Sequence, residues 1–354
     1  MGNFLWKKID TLVADPTQYG AMYSMPRLLL TGILLLFCCV PLHGQGSDTI
    51  QPGEVWRDTA GEPIQAHGGG ILKQGHYWYW FGEDRRQGHD AAKRYVSCYR
   101  SSDLVHWENR GVVFESVEPE DVKAKWGEGF VLERPKVFRV GKRFVMYFHL
   151  DAGPRDKPYM AAEVGVAVSD RVDGTYRFVK HYRPLGEESR DIGQFVDDDG
   201  TNYLVFESRP THGFFIARLS ANGLDVTKTA FITGALEGGA IVHYDGLYYA
   251  LGSHLTGWKP NPNVYATAKN LAGPWSEFAN IAPPETNTYD TQSSMLIKVA
   301  GLRATTVIYV GDRWEPKTLW DSRYVWMPVD IGDGKMRLPE PKPWSIDVKT
   351  GVVK

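Results

Sequence analysis

The sequence predicts an all-β chain folded as a five-bladed β-propeller, and three observations carry that expectation. Aromatic-rich β-runs recur five times along the chain. Each is preceded at short range by a second apolar run, with turn residues between the two. Shorter segments with an echo of their own lie between these hairpins, and no stretch holds a convincing helical period. Strands in groups of about four, repeated five times, fit radial repetition about an axis. A β-sandwich would explain alternating strands but not the fivefold recurrence.

In chain order the aromatic runs are Gly75–Glu83, Gly141–His149, Gly200–Glu207, Gly246–His254 and Ala304–Asp312. The runs ahead of them are Gly69–Lys73, Lys136–Val140, Gln194–Val196, Ala240–His243 and Met295–Val299. Asp199-Gly200 and Asp245-Gly246 supply hairpin turn chemistry. The echo is Ser101–Trp107, Val168–Arg171, Leu219–Asn222 and Ala268–Trp275, read as shorter strands. Trp326–Asp347 is expected to close the ring or pack beneath it.

The composition suits one large soluble domain, with 354 residues, 43% hydrophobic and 23% charged. A formal net charge of −2 offers no electrostatic footprint for nucleic acid or an anionic membrane. Tryptophan and tyrosine, 12 and 18 in number, serve packing between sheets, and some are free to line a sugar site by stacking on pyranose C–H faces. Arg27 precedes Leu28–Val40, an apolar run too short to span a bilayer and suited to a signal-peptide core. Cleavage is expected near Gly44 or Gly46. Met1–Ser24 does not read as part of a signal, which makes Met25 a second candidate start. The expected organisation is an extension and signal peptide over 1–46 and a propeller over 47–354, exported as a secreted or periplasmic monomer with no membrane span. Leu36-Phe37 fits a lipobox badly, which argues against an anchor at Cys38 or Cys39. Cys98 alone survives signal removal, so neither a disulfide nor a cysteine metal cluster is expected.

The repeat also aligns polar residues. Just ahead of each first apolar run stand His67, Glu133, Asp191, Glu237 and Gln292, separated by 66, 58, 46 and 55 residues. Inner strands of a propeller line the central axis, so residues in one register converge on one funnel. Carboxyls gathered there raise one another's pKa, which keeps one of them protonated near neutral pH. That suits glycoside hydrolysis, which needs an acid to protonate the leaving oxygen and a second group to activate water or attack the sugar. Taken alone, Glu133 beside Arg134 also reads as a simple ion pair. Asp197-Asp198-Asp199-Gly200 reads as a hairpin turn, because it lacks the ligand spacing of a calcium loop. No cofactor is required. A structural calcium ion is the one metal left open, through His254 if it faces the axis instead of being a satisfied buried histidine.

These residues resemble glycoside hydrolase family 43, and within it the exo-β-1,3-galactanase group. The stretches that carry the resemblance are Gln65–Ile71, Tyr79–Asp84, Glu133–Val137, Asp191 with Phe195–Gly200, Glu237, Ser253–Tyr265, Thr291–Ser294, and Gly311–Trp314 with Asp321–Trp326. They span about residues 50 to 350. The resemblance implies that Glu237 is the general acid and that Asp191 tunes and orients it. Most of the family carries a base Asp at the start of blade one, where this chain has His67. That departure agrees with the galactanase group, in which a Gln on blade five, here Gln292, is proposed to help activate water. Glu133, Tyr159 and Thr256 match sugar contacts, and Glu83 and Glu207 are further candidates. The implied activity is inverting release of galactose from β-1,3-galactan, with acid and water-activating group roughly 6.5–9.5 Å apart. The alternatives are a family-43 arabinofuranosidase or xylosidase, and a lectin-like binder of polysaccharide or oligosaccharide without turnover.

Overall fold

The computed structural model describes residues 48–234 and 236–354. Leu28–Val40, Cys38 and Cys39, on which export and anchoring turn, lie outside the described residues. Blade one comprises β1 (His67–Gln74), β2 (Tyr77–Glu83), β3 (Lys93–Ser101) and β4 (Glu108–Val117). Blade two comprises β5 (Val131–Val140), β6 (Arg143–Asp151), β7 (Glu163–Ser169) and β8 (Arg177–Tyr182). Blade three comprises β9 (Ile192–Val196), β10 (Asn202–Ser208), β11 (Gly213–Leu219) and β12 (Val226–Thr233). Blade four comprises β13 (Leu236–Tyr244), β14 (Leu247–His254), β15 (Val264–Ala268) and the short β16 (Ala279–Asn280). Blade five has three strands, β17 (Gln292–Ala300), β18 (Thr305–Arg313) and β19 (Arg323–Pro328). Each blade pairs its strands antiparallel in chain order, and β1, β5, β9, β13 and β17 stand side by side around the axis, with β17 returning to β1. The five-bladed propeller is as the sequence predicts.

The alternation within each strand decides which inter-blade core a side chain enters. In β2, Tyr79 and Phe81 join the core shared with blade two, whereas Trp78 and Trp80 join the core shared with blade five. In β10, Leu204 and Phe206 face blade two, and Val205 faces blade four. Between blades one and five the ring centroids of Trp80 and Trp326 lie 4.7 Å apart, with Trp56 at 5.2 Å from Trp326 and Trp107 at 5.3 Å from Trp80. Burial of each such large apolar side chain contributes about 1.5–3 kcal/mol. Ring closure runs through this seam. Ile50 and Trp344 exchange main-chain hydrogen bonds of 2.7 and 3.1 Å, and Trp344 Nε1 donates to Trp326 O at 2.8 Å. Cys98 is fully buried, and burial pushes its thiol up.

The echoed segments are turns, not strands. Ser101, Ser169 and Leu219 are the last residues of β3, β7 and β11, and the chain then bends on its own polar side chains. Ser101 Oγ accepts from the backbone N of Asp103 and Leu104, and Ser220 Oγ donates to Asn222 Oδ1 at 2.8 Å. Asp197–Gly200 is likewise a hairpin turn, closed by Gly200 N donating to Asp197 O at 2.9 Å.

Inner strands approach each other closely where side chains are absent. A Cβ on Gly193 would stand 2.0 Å from Gly239 O across blades three and four. Gly193→Ala is therefore expected to cost about 1–3 kcal/mol in chemical denaturation; an unchanged midpoint would contradict the close packing. At the top of the ring the inner strands bulge, with register shifts following His67, Glu133, Glu237 and Ser293. A bulge turns the first side chain away from the ladder and toward the axis. The residue after the ring position is left-handed in three blades: Gly68 at φ 57°, Gly238 at φ 65° and, without a glycine's freedom, Arg134 at φ 51°.

Candidate active site

At the top of the axis Glu83, Glu133, Asp191, Glu237, Tyr159 and Gln292 line one cavity of about 310 Å³. Six of the nine residues singled out from sequence are thus brought together. His149, Arg85, Arg134, Arg190 and Arg209 complete its polar wall, and Leu255, Trp258, Trp314 and Leu319 its rim.

Glu237 is the second residue of β13 and is 3% exposed. Its Oε1 accepts from Gln292 Nε2 at 3.0 Å, and its Oε2 lies 3.6 Å from Arg209 Nη2. Burial, then the charges of Asp191 and Glu207, push its carboxyl up to about 8 against the opposing pull of Arg134 and Arg209. Asp191 Oδ2 pairs with Arg134 Nε at 2.8 Å. Gln292 Oε1 accepts from Arg134 Nη2 at 2.5 Å and from Trp314 Nε1 at 2.9 Å, while Nε2 also donates to Ser253 Oγ at 3.1 Å. Gln292 therefore touches the carboxyl of Glu237 directly, and no water fits between the two in this state.

The opposite wall carries a buried charge relay. Tyr159 donates to Glu133 Oε1 at 2.9 Å, and His149 bridges Glu133 Oε2 at 3.2 Å to Asp151 Oδ2 at 3.0 Å. Burial alone would lower the imidazolium, but the two carboxylates reverse this and raise it to about 10. Burial alone would likewise raise Glu133, yet His149 and Arg85 hold it down to about 2. Glu83 Oε1 accepts from the backbone N of Arg134 at 2.9 Å, and Arg85 Nε donates to Oε2 at 2.8 Å. Burial pushes Glu83 up.

Three expected residues do not reach the cavity wall. His67 is fully buried behind it, stacked on Tyr324 at 5.0 Å with Trp314 at 6.1 Å, and its Nδ1 stands 3.7 Å from Asp312 Oδ1. Glu207 lies beneath Glu237 at 1% exposure, paired with Arg209 Nε at 3.2 Å; burial and Asp191 push it up to about 7. Its influence on the site is electrostatic. Thr256 turns its hydroxyl into its own loop, donating to Lys259 O at 2.6 Å and accepting from Asn261 Nδ2 at 2.7 Å. That loop delivers Leu255 and Trp258 to the rim instead.

The axis below the cavity is filled by Lys136, fully buried, whose Nζ donates to Gly68 O and Gly69 O at 2.7 Å and to Ser294 Oγ at 3.2 Å. Gly68 O and Gly69 O are thus engaged by this ammonium group. His254 is exposed at the end of β14 and is not among the residues that line the cavity.

Sequence reasoning missed Arg134, His149, Asp151 and the arginines. A regular signal marks part of this set. Sixteen residues after His67, Glu133, Asp191 and Glu237 come Glu83, His149, Glu207 and Ser253, and Asp312 follows Gln292 by twenty. The structure pairs His67 with Glu83, Glu133 with His149, Glu237 with Ser253 and Gln292 with Asp312 across the hairpins, and joins Glu207 N to Asp191 O at 3.2 Å. A second polar ring thus backs the first.

An acid-lined cavity in which burial and neighbouring acids raise one carboxyl well above its usual range is the setting of a glycoside hydrolase on a propeller scaffold. The family profile described as Glycosyl hydrolases family 43 matches residues 70–304, and the chain belongs to that family. Among solved structures it is similar to an exo-β-1,3-galactanase from Phanerochaete chrysosporium with bound β-1,3-galactotriose: 40% identity, 87% of this chain and 70% of that one, TM-score 0.77. An exo-β-1,3-galactanase from Clostridium thermocellum gives 34% identity over 87% of this chain and 68% of that one, TM-score 0.77. A family-43 β-1,3-galactosidase with galactodeoxynojirimycin gives 32% identity over 81% and 97%, TM-score 0.70. A comparison with curated protein sequences gives no match.

Proposed function

We propose that this hydrolase removes terminal galactose from β-1,3-galactan by inversion, with Glu237 as the general acid. The observation that carries the reading is the buried Glu237 carboxyl, raised to about 8 in the acid-lined cavity at the top of the axis, where Asp191, Arg134 and Arg209 surround it. The similar galactanases and galactosidase supply the sugar and the linkage. Asp191 and Glu207 act on Glu237 through their charge. Glu133, held ionised, and Tyr159, whose own O–H is committed to Glu133, would both accept hydrogen bonds from sugar hydroxyls. Gln292 has all four of its hydrogen-bonding positions occupied, one of them by Glu237, and in this reading it orients the acid. His67, fully buried behind the cavity wall, is not available to activate water. The apolar run ahead of the propeller supports export as the route of the chain to an extracellular polysaccharide. Among the described residues no helix is long and apolar enough to cross a membrane.

Digestion of linear β-1,3-galactan tests the exo-galactanase reading. Galactose alone from the first minutes is the expected product; a ladder of oligosaccharides, or turnover only of arabinosides or xylosides, would overturn it. The pH profile tests the acid. Hydrolysis needs the protonated form, so kcat/KM is expected to hold up to about pH 8 and then fall about tenfold per unit. A fall beginning near the ordinary carboxylate range would contradict the assignment. Trp258, 38% exposed on the rim, offers a ring face to the sugar beyond the scissile bond. Trp258→Ala is expected to raise KM for galactotriose about tenfold and leave an aryl galactoside nearly unaffected; equal effects on both would exclude that contact.

A further inference from the structure

We infer that Arg134 is the positioning residue of this site, fixing through Gln292 which oxygen of Glu237 carries the proton. The inference rests on the reading of Glu237 as the acid. Arg134 takes the left-handed place that Gly68 and Gly238 hold in blades one and four, with φ 51°. A long side chain is kept where the backbone favours glycine, which points to the guanidinium as the reason.

That guanidinium is 3% exposed and uses three separate nitrogens on three separate partners. Nε meets Asp191 Oδ2 at 2.8 Å, Nη1 meets Ser293 O at 2.9 Å and Nη2 meets Gln292 Oε1 at 2.5 Å. The backbone N of Arg134 is held by Glu83 at 2.9 Å, so one residue of blade two ties blades one, three and five. The consequence lies at Gln292. Its amide has an oxygen end and a nitrogen end of equal size, and hydrogen-bond partners alone decide their orientation. Flipped, the amide would set N–H groups against the guanidinium and the Trp314 indole N–H, donor against donor. Arg134 therefore forces Nε2 toward Glu237 Oε1, at 3.0 Å. An oxygen that accepts this hydrogen bond serves as the carbonyl oxygen of the neutral acid. The proton is left on Oε2, which at 3.6 Å from Arg209 Nη2 accepts no hydrogen bond from that guanidinium.

The charged groups facing Glu237 are Asp191 and Glu207 on blade three, Arg209 beyond β10, and Arg134 on blade two. Loss of the Arg134 charge alone leaves Glu237 harder to ionise, and the alkaline limb moves upward.

The test is Arg134→Gly in the full chain, since glycine suits the backbone there, assayed on β-1,3-galactobiose beside the wild type. The expected result is a kcat lower by about a hundredfold with KM changed less than about threefold. The alkaline limb should shift upward, and added guanidinium ion should restore part of the lost kcat. Arg134→Lys, which keeps the charge but not the fork, is expected to keep its Tm and still lose most of kcat. Near-wild-type kcat in either variant would overturn the inference. So would a loss that follows a fall in Tm, with the limb unmoved and no response to guanidinium. A wild type that releases no galactose from galactobiose would instead overturn the reading of the site, and the inference with it.

Discussion

Glu237→Gln is expected to lower kcat on β-1,3-galactan by about 10²–10⁴-fold, the contribution of a well-placed general acid to an unactivated leaving group. The amide fits the same space, and it keeps a carbonyl oxygen for Gln292 Nε2, so folding and sugar binding should be close to wild type. The loss should shrink on an aryl galactoside, whose leaving group departs without a proton. Retention of more than about a hundredth of wild-type kcat on galactan would remove Glu237 from the acid role. Undiminished binding of galactotriose alongside lost turnover would separate catalysis from recognition.

The second large effect concerns stability. His149→Leu should lower the free energy of unfolding by about 3–5 kcal/mol, because it strips the cation from two carboxylates that remain out of water. His149 is 1% exposed and sits between Glu133 and Asp151 at 3.2 and 3.0 Å. The pH dependence follows from the direction of each shift. His149 titrates near 10 in the folded chain and near 6.5 when unfolded. Its contribution is therefore full below about pH 6.5 and is lost as pH rises through 10. Glu133 runs the other way, from 4.5 down to about 2, so its contribution is present above 4.5 and is lost as pH falls toward 2. Urea denaturation across pH should show the alkaline loss in wild type and not in His149→Leu. Parallel curves for the two proteins would contradict the relay.

The propeller was legible because strand period and inter-blade packing are one fact. Trp78, Tyr79, Trp80 and Phe81 alternate between two cores, and that alternation is visible as a run of aromatics. The inner ring was legible for a related reason: Glu133, Asp191, Glu237 and Gln292 each stand at the head of an inner strand. The same register placed His67 among them, but Tyr324 and Trp314 crowd it from behind, and no sequence period reports which ring members are covered. Arg134 was hidden by its neighbour. Beside Glu133 it reads as a local ion pair, whereas its partner Gln292 lies 158 residues away. The echoed Ser-Asp segments misled in the opposite sense, since polar turns repeat with the blades as faithfully as strands do. Blade five has three strands, and the tie between Ile50 and Trp344 that closes the ring depends on segments far apart in sequence meeting in space.

The most direct test of the central claim is proton NMR of β-1,3-galactotriose during the first minutes of reaction with the full chain. Inversion at the terminal residue by water, with Glu237 protonating the departing oxygen, requires α-galactose to appear first and mutarotate afterwards. β-Galactose appearing first would mean a covalent intermediate and a nucleophile within about 5–5.5 Å of the acid. That result would contradict Glu237 as the acid of a single displacement.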